Sequence, residues 1–189
     1  QTLENSDAAY KFVFSHQMVG GIPDYTGTAG AEYVRGGARA AGYFEWGGYG
    51  EDGTTWAFDT LRPGWGVDAE HPKGTPIHQL FVDNGVSAYF HGHDHQYVYE
   101  KRGPVVYQEV PSPSMSGTGF DGIYYEGTYA EYSTIKRLGG PGHLRISITP
   151  TQATVQYISS TGSNNYSYTI EPSTPVVTHD LTVNVSPAG

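Results

Sequence analysis

A strand that ends in histidines sets the terms for this sequence. Residues 86–90 form an apolar run that closes on Tyr89-Phe90-His91-Gly92-His93-Asp94-His95, placing three imidazoles and a carboxylate in five residues before a second apolar, Tyr-rich run begins. His93 and His95 are two apart, a spacing that puts side chains on one face of an extended chain, and imidazole is the commonest metal ligand. Gly92 lets the backbone turn sharply, and Asp94 can orient an imidazole. A surface cluster of histidines with no ligand fits the same letters.

A second strand delivers a histidine in the same way. Residues 10–14, Tyr-Lys-Phe-Val-Phe, read as a buried strand and run into Ser15-His16. Ligand and catalytic groups of α/β sheets gather at the C-terminal ends of strands, so His16 is the natural third member beside His93 and His95. A hydrogen-bonded histidine that merely caps the strand is the competing reading. Pro76, the apolar positions 77, 80 and 81, and the stop Asn84-Gly85 predict a helix of two to three turns, with His78 and Gln79 on its solvated side. The short connection from that helix into the 86–90 strand suits a layered α/β domain.

Downstream, residues 96–100 and 105–110 alternate around Lys101-Arg102-Gly103-Pro104 and predict a hairpin; 143–149 and 153–158 predict another through Pro150-Thr151-Gln152. In both pairs the period of two implies one buried and one solvated face. His143, at a strand start, reads as structural. Residues 114–134 read as a loop. Residues 159–168 read as a Ser/Asn/Gly linker, and the Pro-bearing tail beyond them carries the short run 181–185, the expected start of a following β-type segment. The expected division is therefore a domain over 1–160 and a linker with the start of another unit over 161–189. Between 22 and 74 lies a long Gly/aromatic excursion holding all three tryptophans, with a short helix possible around 29–41 and a role in shaping one wall of a site.

Composition narrows the function classes. At 189 residues, the chain has room for one domain with a real core. A net charge of -9 with ten Lys plus Arg argues against a surface that tracks nucleic-acid phosphates, and any anionic ligand would have to be held through metal. With no cysteine, there are neither disulfides nor thiolate sites. No apolar run approaches the ~20 residues of a membrane span. The Gln1 start suggests a processed or cropped chain. Asn165-Tyr166-Ser167 and Asn184-Val185-Ser186 match the glycosylation sequon.

Taken together, Phe12-Val13-Phe14-Ser15-His16 and, much later, Phe90-His91-Gly92-His93-Asp94-His95-Gln96-Tyr97-Val98-Tyr99-Glu100 resemble the C-terminal half of a calcineurin-like metallophosphoesterase, the superfamily that includes purple acid phosphatases. The resemblance covers roughly residues 8–160. It implies an α/β fold, part of a calcineurin-like αββα sandwich that is mostly β-strand with long Gly/aromatic loops and few short helices. It also implies two divalent or trivalent metal ions of the Fe, Mn or Zn class at the strand ends, with His16 and His93 ligating one and His95 the other. The implied chemistry is attack on phosphorus by metal-bound hydroxide, which needs two ions about 3.5–4 Å apart. His91 and Asp94 are not ligands in this pattern and read as residues that support or shape the loop.

The family's Asp-x-His strand end, Gly-Asp-x-x-Asp turn and Gly-Asn-His segment have no counterpart upstream of His16. Three neutral imidazoles do not hold two dications in close contact, because their repulsion must be screened by carboxylate charge. Three expectations follow. The first is a piece of a larger secreted protein, completed by an N-terminal half on another chain or segment and then acting on a phosphoester. The second is a catalytically inactive structural or assembly unit of an extracellular protein or fibre, with its exposed sheet edges paired by neighbours. The third, a ligand-binding module using the Tyr/Trp surface, has no specific motif. The residues name neither a catalytic group nor a substrate-binding one.

Overall fold

A computed structural model describes residues 2–16, 37–38, 41, 77–92, 95–114, 126–129, 132–162 and 165–173. Most of the Gly/aromatic excursion and of the possible 29–41 helix, together with His93, Asp94 and the 181–185 run, lie outside these residues.

Two sheets and a helix form three layers. The first sheet holds β1 (Phe12–Phe14), β2 (Ala88–His91), β3 (Tyr97–Arg102), β4 (Val105–Glu109), β5 (Gly127–Thr128) and β6 (Ser133–Leu138), in the order β1-β2-β4-β3-β6-β5. β1, β2 and β4 run parallel, while β3 pairs antiparallel with β4 and β6. The second sheet is the antiparallel set β7 (Gly142–Ile148), β8 (Ala153–Ser159) and β9 (Tyr166–Ile170). This is the mostly-β α/β organisation that the strand pattern implies.

The helix α1 (Ile77–Asp83) covers one face of the larger sheet, its Ile77 and Phe81 packing with Val86, Tyr89, Val105, Tyr107, Ala38 and Ala41. Its stop is built as the sequence suggests. Gly85 takes φ 63° and donates to the carbonyl of Val82 at 3.1 Å, and Val86 donates to that of Phe81 at 2.9 Å, a left-handed cap that glycine adopts without a Cβ penalty. Lys11 adds its ammonium to the carbonyl of Asn84 at 2.7 Å, a cation at the helix C-terminus.

The other face packs against β7–β9 through Phe90, Tyr97, Tyr99, Val106, Val155, Tyr157, Tyr168 and Ile170. Tyr99 and Tyr168 stack across the gap at 3.9 Å with 2° between their planes. Being covered on both sides, β2 and β4 are buried along their whole length. For the first hairpin, the expectation of one solvated face is therefore overturned, and the reason is the layer on each side. Strand β8 does alternate.

Within the expected 159–168 linker, residues 166–168 belong to β9, which pairs antiparallel with β8 and buries Tyr168 and Ile170 between the sheets. Beyond it, Ser173 donates both its N–H and its hydroxyl to the carbonyl of Ala9, at 2.8 and 2.9 Å. The packed domain therefore reaches at least residue 173. The loop expected over 114–134 contains β5 and the start of β6, where the described residues begin again. Among the described residues, no helix is long and apolar enough to cross a membrane.

Candidate functional site

The three parallel strands point their ends at one edge of the sheet. β1 runs out at Ser15-His16, β2 at His91-Gly92 and β4 at Glu109-Val110. Backbone bonds hold the ends together: Ser15 donates to the carbonyl of Phe90 at 3.0 Å, Gly92 to that of His16 at 2.9 Å, and Val110 to that of His91 at 2.6 Å. β3 begins just after His95, antiparallel to β4, so His95 and Gln96 enter the sheet at the same edge. Ligand sites of α/β sheets form at such edges, outside the carboxyl ends of parallel strands.

His16 is exposed there, and its Nδ1 lies 3.8 Å from where a Cβ on Gly92 would stand. The His16 motif is thus in contact with the first residue of Gly92-His93-Asp94-His95. His95 is half-buried and adopts φ 61°, the left-handed region that few non-glycine residues enter. From His95 the chain enters β3. His93 itself lies outside the described residues.

His91 is part of the sheet, the last residue of β2. Its ring is buried on the helix side, stacks on Tyr89 at 5.3 Å, and sets Nδ1 against the Glu109 carboxylate of the neighbouring strand. Beside it, Glu100 Oε1 accepts the Thr134 hydroxyl at 2.9 Å and Oε2 the backbone N–H of Ala38 at 3.2 Å. A Cβ on Gly37 would stand 2.7 Å from Glu100 Oε2 and 3.3 Å from His91 Nε2, so only a bare backbone fits there. Burial pushes the Glu100 carboxyl up to about 7, against the pull of these hydrogen bonds and of His91.

This buried layer of His91, Glu109 and Glu100 escaped the sequence reading. Read from the sequence, neither glutamate has a role and His91 has only a supporting one. The available signal was the unbroken apolar run Val105-Val106-Tyr107, the mark of a strand covered on both faces.

His78 also departs from expectation. It is half-buried: Nδ1 pairs with the Tyr107 hydroxyl at 3.0 Å, and burial, aided by Arg102, lowers its pKa to about 4. His143 is exposed at the start of β7.

Chemically, the described edge offers two imidazoles, His16 and His95, above carboxylates already engaged in the sheet. Among the described residues, no group of three His, Cys, Asp or Glu is arranged to hold a metal ion. The described donors alone do not fit a two-ion centre, which would need His93 and carboxylates from outside them.

Comparison with known proteins adds little to this geometry. No protein-family model matches the chain. No curated protein matches it. Among solved structures, it is similar to GAP50, the anchor in the inner membrane complex of Plasmodium, at 15% identity and a TM-score of 0.43, over 56% of this chain and 33% of that one. The chain thus spans about a third of that protein's length.

Proposed function

We propose that this chain is the C-terminal half of a metal-dependent phosphoester hydrolase, completed by an N-terminal half that brings the missing carboxylates to the strand-end edge. One observation carries the reading: the bond from Gly92 to His16 joins two motifs remote in sequence at adjacent strand ends. His16, His93 and His95 are the residues that would hold metal of the Fe, Mn or Zn class. Metal so held would draw an anionic phosphoester to a chain of net charge -9, and would supply a hydroxide near neutral pH. An extracellular location belongs to the same proposal and draws support from the exposed sequon residue Asn165.

A second reading, an inactive structural unit, is favoured by the missing carboxylates and by the apolar exposure of Phe14 at a sheet edge. Metal analysis with a p-nitrophenyl phosphate assay on the chain joined to its N-terminal half, and on the His93→Ala variant of that assembly, separates the two. Bound metal, and turnover that collapses in the variant, support the hydrolase. Metal-free material that folds and assembles identically with and without His93 overturns it in favour of the scaffold.

A further inference from the structure

Strand β3 holds one residue of a segment remote in sequence by both ends of its backbone. The N–H of Ala38 donates to Glu100 Oε2 at 3.2 Å, and its carbonyl accepts from Arg102 Nη1 at 3.1 Å. Glu100 and Arg102 are two apart on the strand and so share a face. Gly37, at φ 64°, lies so close over the carboxylate that a Cβ there would stand 2.7 Å from Oε2, and its carbonyl accepts the N–H of Ala41 at 3.0 Å. Ala38 and Ala41 are wholly buried. Both Glu100 oxygens rest on neutral donors, the Thr134 hydroxyl at 2.9 Å and the Ala38 N–H, which orient a carboxylate without cancelling its charge. The titratable and charged groups around it are His91 of β2, which pairs with Glu109 of β4, Tyr107 of β4 with Tyr89 of β2 beside it, Arg102 on β3 itself and, beyond the Tyr107 hydroxyl, His78 of α1.

We propose that Glu100 and the Gly37-Ala38 backbone form a latch that closes in acid and opens as pH rises, the open form having the Glu100 carboxylate ionised and in water. Which state binds the proton sets the direction. Closed, Gly37 and Ala38 strip water from the carboxyl, so its neutral form is favoured and burial holds it up at about 7. Open, the same carboxyl returns to its ordinary value of 4.5. Opening therefore releases a proton, and each step in pH between those values favours it. Gly37 and Ala38 belong to the 22–74 excursion, whose sequence reads as one wall of a site, so the latch makes the anchoring of that stretch to the sheet depend on pH. It needs neither metal nor turnover and stands apart from the hydrolase.

Amide hydrogen exchange on the purified chain, followed by NMR between about pH 5.5 and about pH 8.5, reads the latch directly. After correction for the intrinsic rate, protection of the Ala38 and Ala41 amides should fall by about tenfold or more across that range, whereas Val155 in β8 should keep its protection. The fall should level off above about 7, where the closed carboxyl has ionised. Glu100→Gln, an uncharged stand-in for the protonated acid, should keep Ala38 and Ala41 protected with no such fall. Arg102→Met removes the hold that does not titrate, and should lower protection while leaving its pH dependence in place. Should Glu100→Gln fail to fold, Thr134→Val takes its place: losing the hydroxyl that favours the ionised form should move the levelling-off to higher pH.

A fall of equal slope in wild type and Glu100→Gln overturns the latch and gives the pH dependence to another group, such as the His91 and Glu109 pair that the variant leaves in place. No fall in the wild type overturns it outright, as does an unmoved levelling-off in Thr134→Val. Val155 losing protection in step with Ala38 overturns it too, because the chain is then opening as a whole.

Discussion

The carboxylate of Glu100, 2% exposed on β3, accepts the backbone N–H of Ala38 at 3.2 Å and so ties Gly37-Ala38 to the sheet. A buried carboxyl held near 7 by desolvation makes stability depend on pH with a definite sign. Its folded pKa lies above its ordinary value of 4.5, so the folded chain binds the extra proton. The contribution is complete below about 4.5 and is lost as pH rises through about 7. For a fully buried group this is on the order of 3 kcal/mol at most. Urea denaturation at about pH 5 and about pH 8 should show the wild type losing more stability on alkalinisation than Glu100→Gln. Identical losses in both proteins would place the dependence elsewhere.

Gly37 sits on the other side of that bond. It holds φ 64°, and a Cβ there would come within 2.7 Å of Glu100 Oε2, a carboxylate fixed by Thr134 and Ala38. Gly37→Ala therefore meets both backbone strain and a clash with a group that has nowhere to retreat. A loss of about 1–3 kcal/mol is expected from urea denaturation. The double variant with Glu100→Ala should recover part of it, because removing the carboxylate relieves the clash but not the backbone strain. If the double variant were no better than the sum of the singles, the two residues would not be in conflict.

Between the sheets, Tyr168 donates its hydroxyl to Gln108 Oε1 at 3.0 Å, while Gln108 Nε2 donates to the carbonyls of Val98 and Glu109 at 3.0 and 2.7 Å. Gln108 is wholly buried, so the phenol cannot be replaced there by bulk water. Tyr168→Phe keeps the ring against Tyr99 and removes only the donor, at an expected cost of about 1–3 kcal/mol. Tyr168→Ala loses the stack as well and should cost about 3–5 kcal/mol. Thermal unfolding of the pair checks the order, and near-equal values would mean that the hydrogen bond carries the contact and the ring does not.

What the letters conveyed was mostly local. Pro76 and Asn84-Gly85 bracket α1 because capping is written in neighbouring residues, and the Gly103-Pro104 hairpin is written in the alternation on each side of it. Strand β9 was hidden by its own turn: Ser, Asn and Gly at 159–165 dominate the composition, and the alternation of Tyr166, Tyr168 and Ile170 reads as a strand only against a partner sheet. Non-local facts were less legible still. That Glu100 is buried depends on Gly37 and Ala38, remote along the chain, closing over it. That His16 meets Gly92 depends on β1 and β2 pairing in parallel, which the strand-end histidines suggested but no pairing signal specified.

His78 supplies the acidic counterpart to Glu100. Held on α1 against the Tyr107 hydroxyl, it has a pKa lowered to about 4 by burial and by Arg102. A lowered histidine has the opposite linkage from a raised carboxyl: the unfolded chain takes up the proton first, so stability falls as pH drops from 6.5 toward about 4. The ring is only half-buried and solvent screens part of the effect, so the direction is the prediction. Over the same range Glu100 acts the other way, and the wild-type profile should be shallow where the two overlap. His78→Gln retains an amide able to reach the phenol and removes the titration. Its stability should therefore rise relative to wild type on acidification through that window, measured as the difference in urea midpoints. A constant difference across the window would show that His78 takes up no proton on unfolding there, and that its bond to Tyr107 is packing alone.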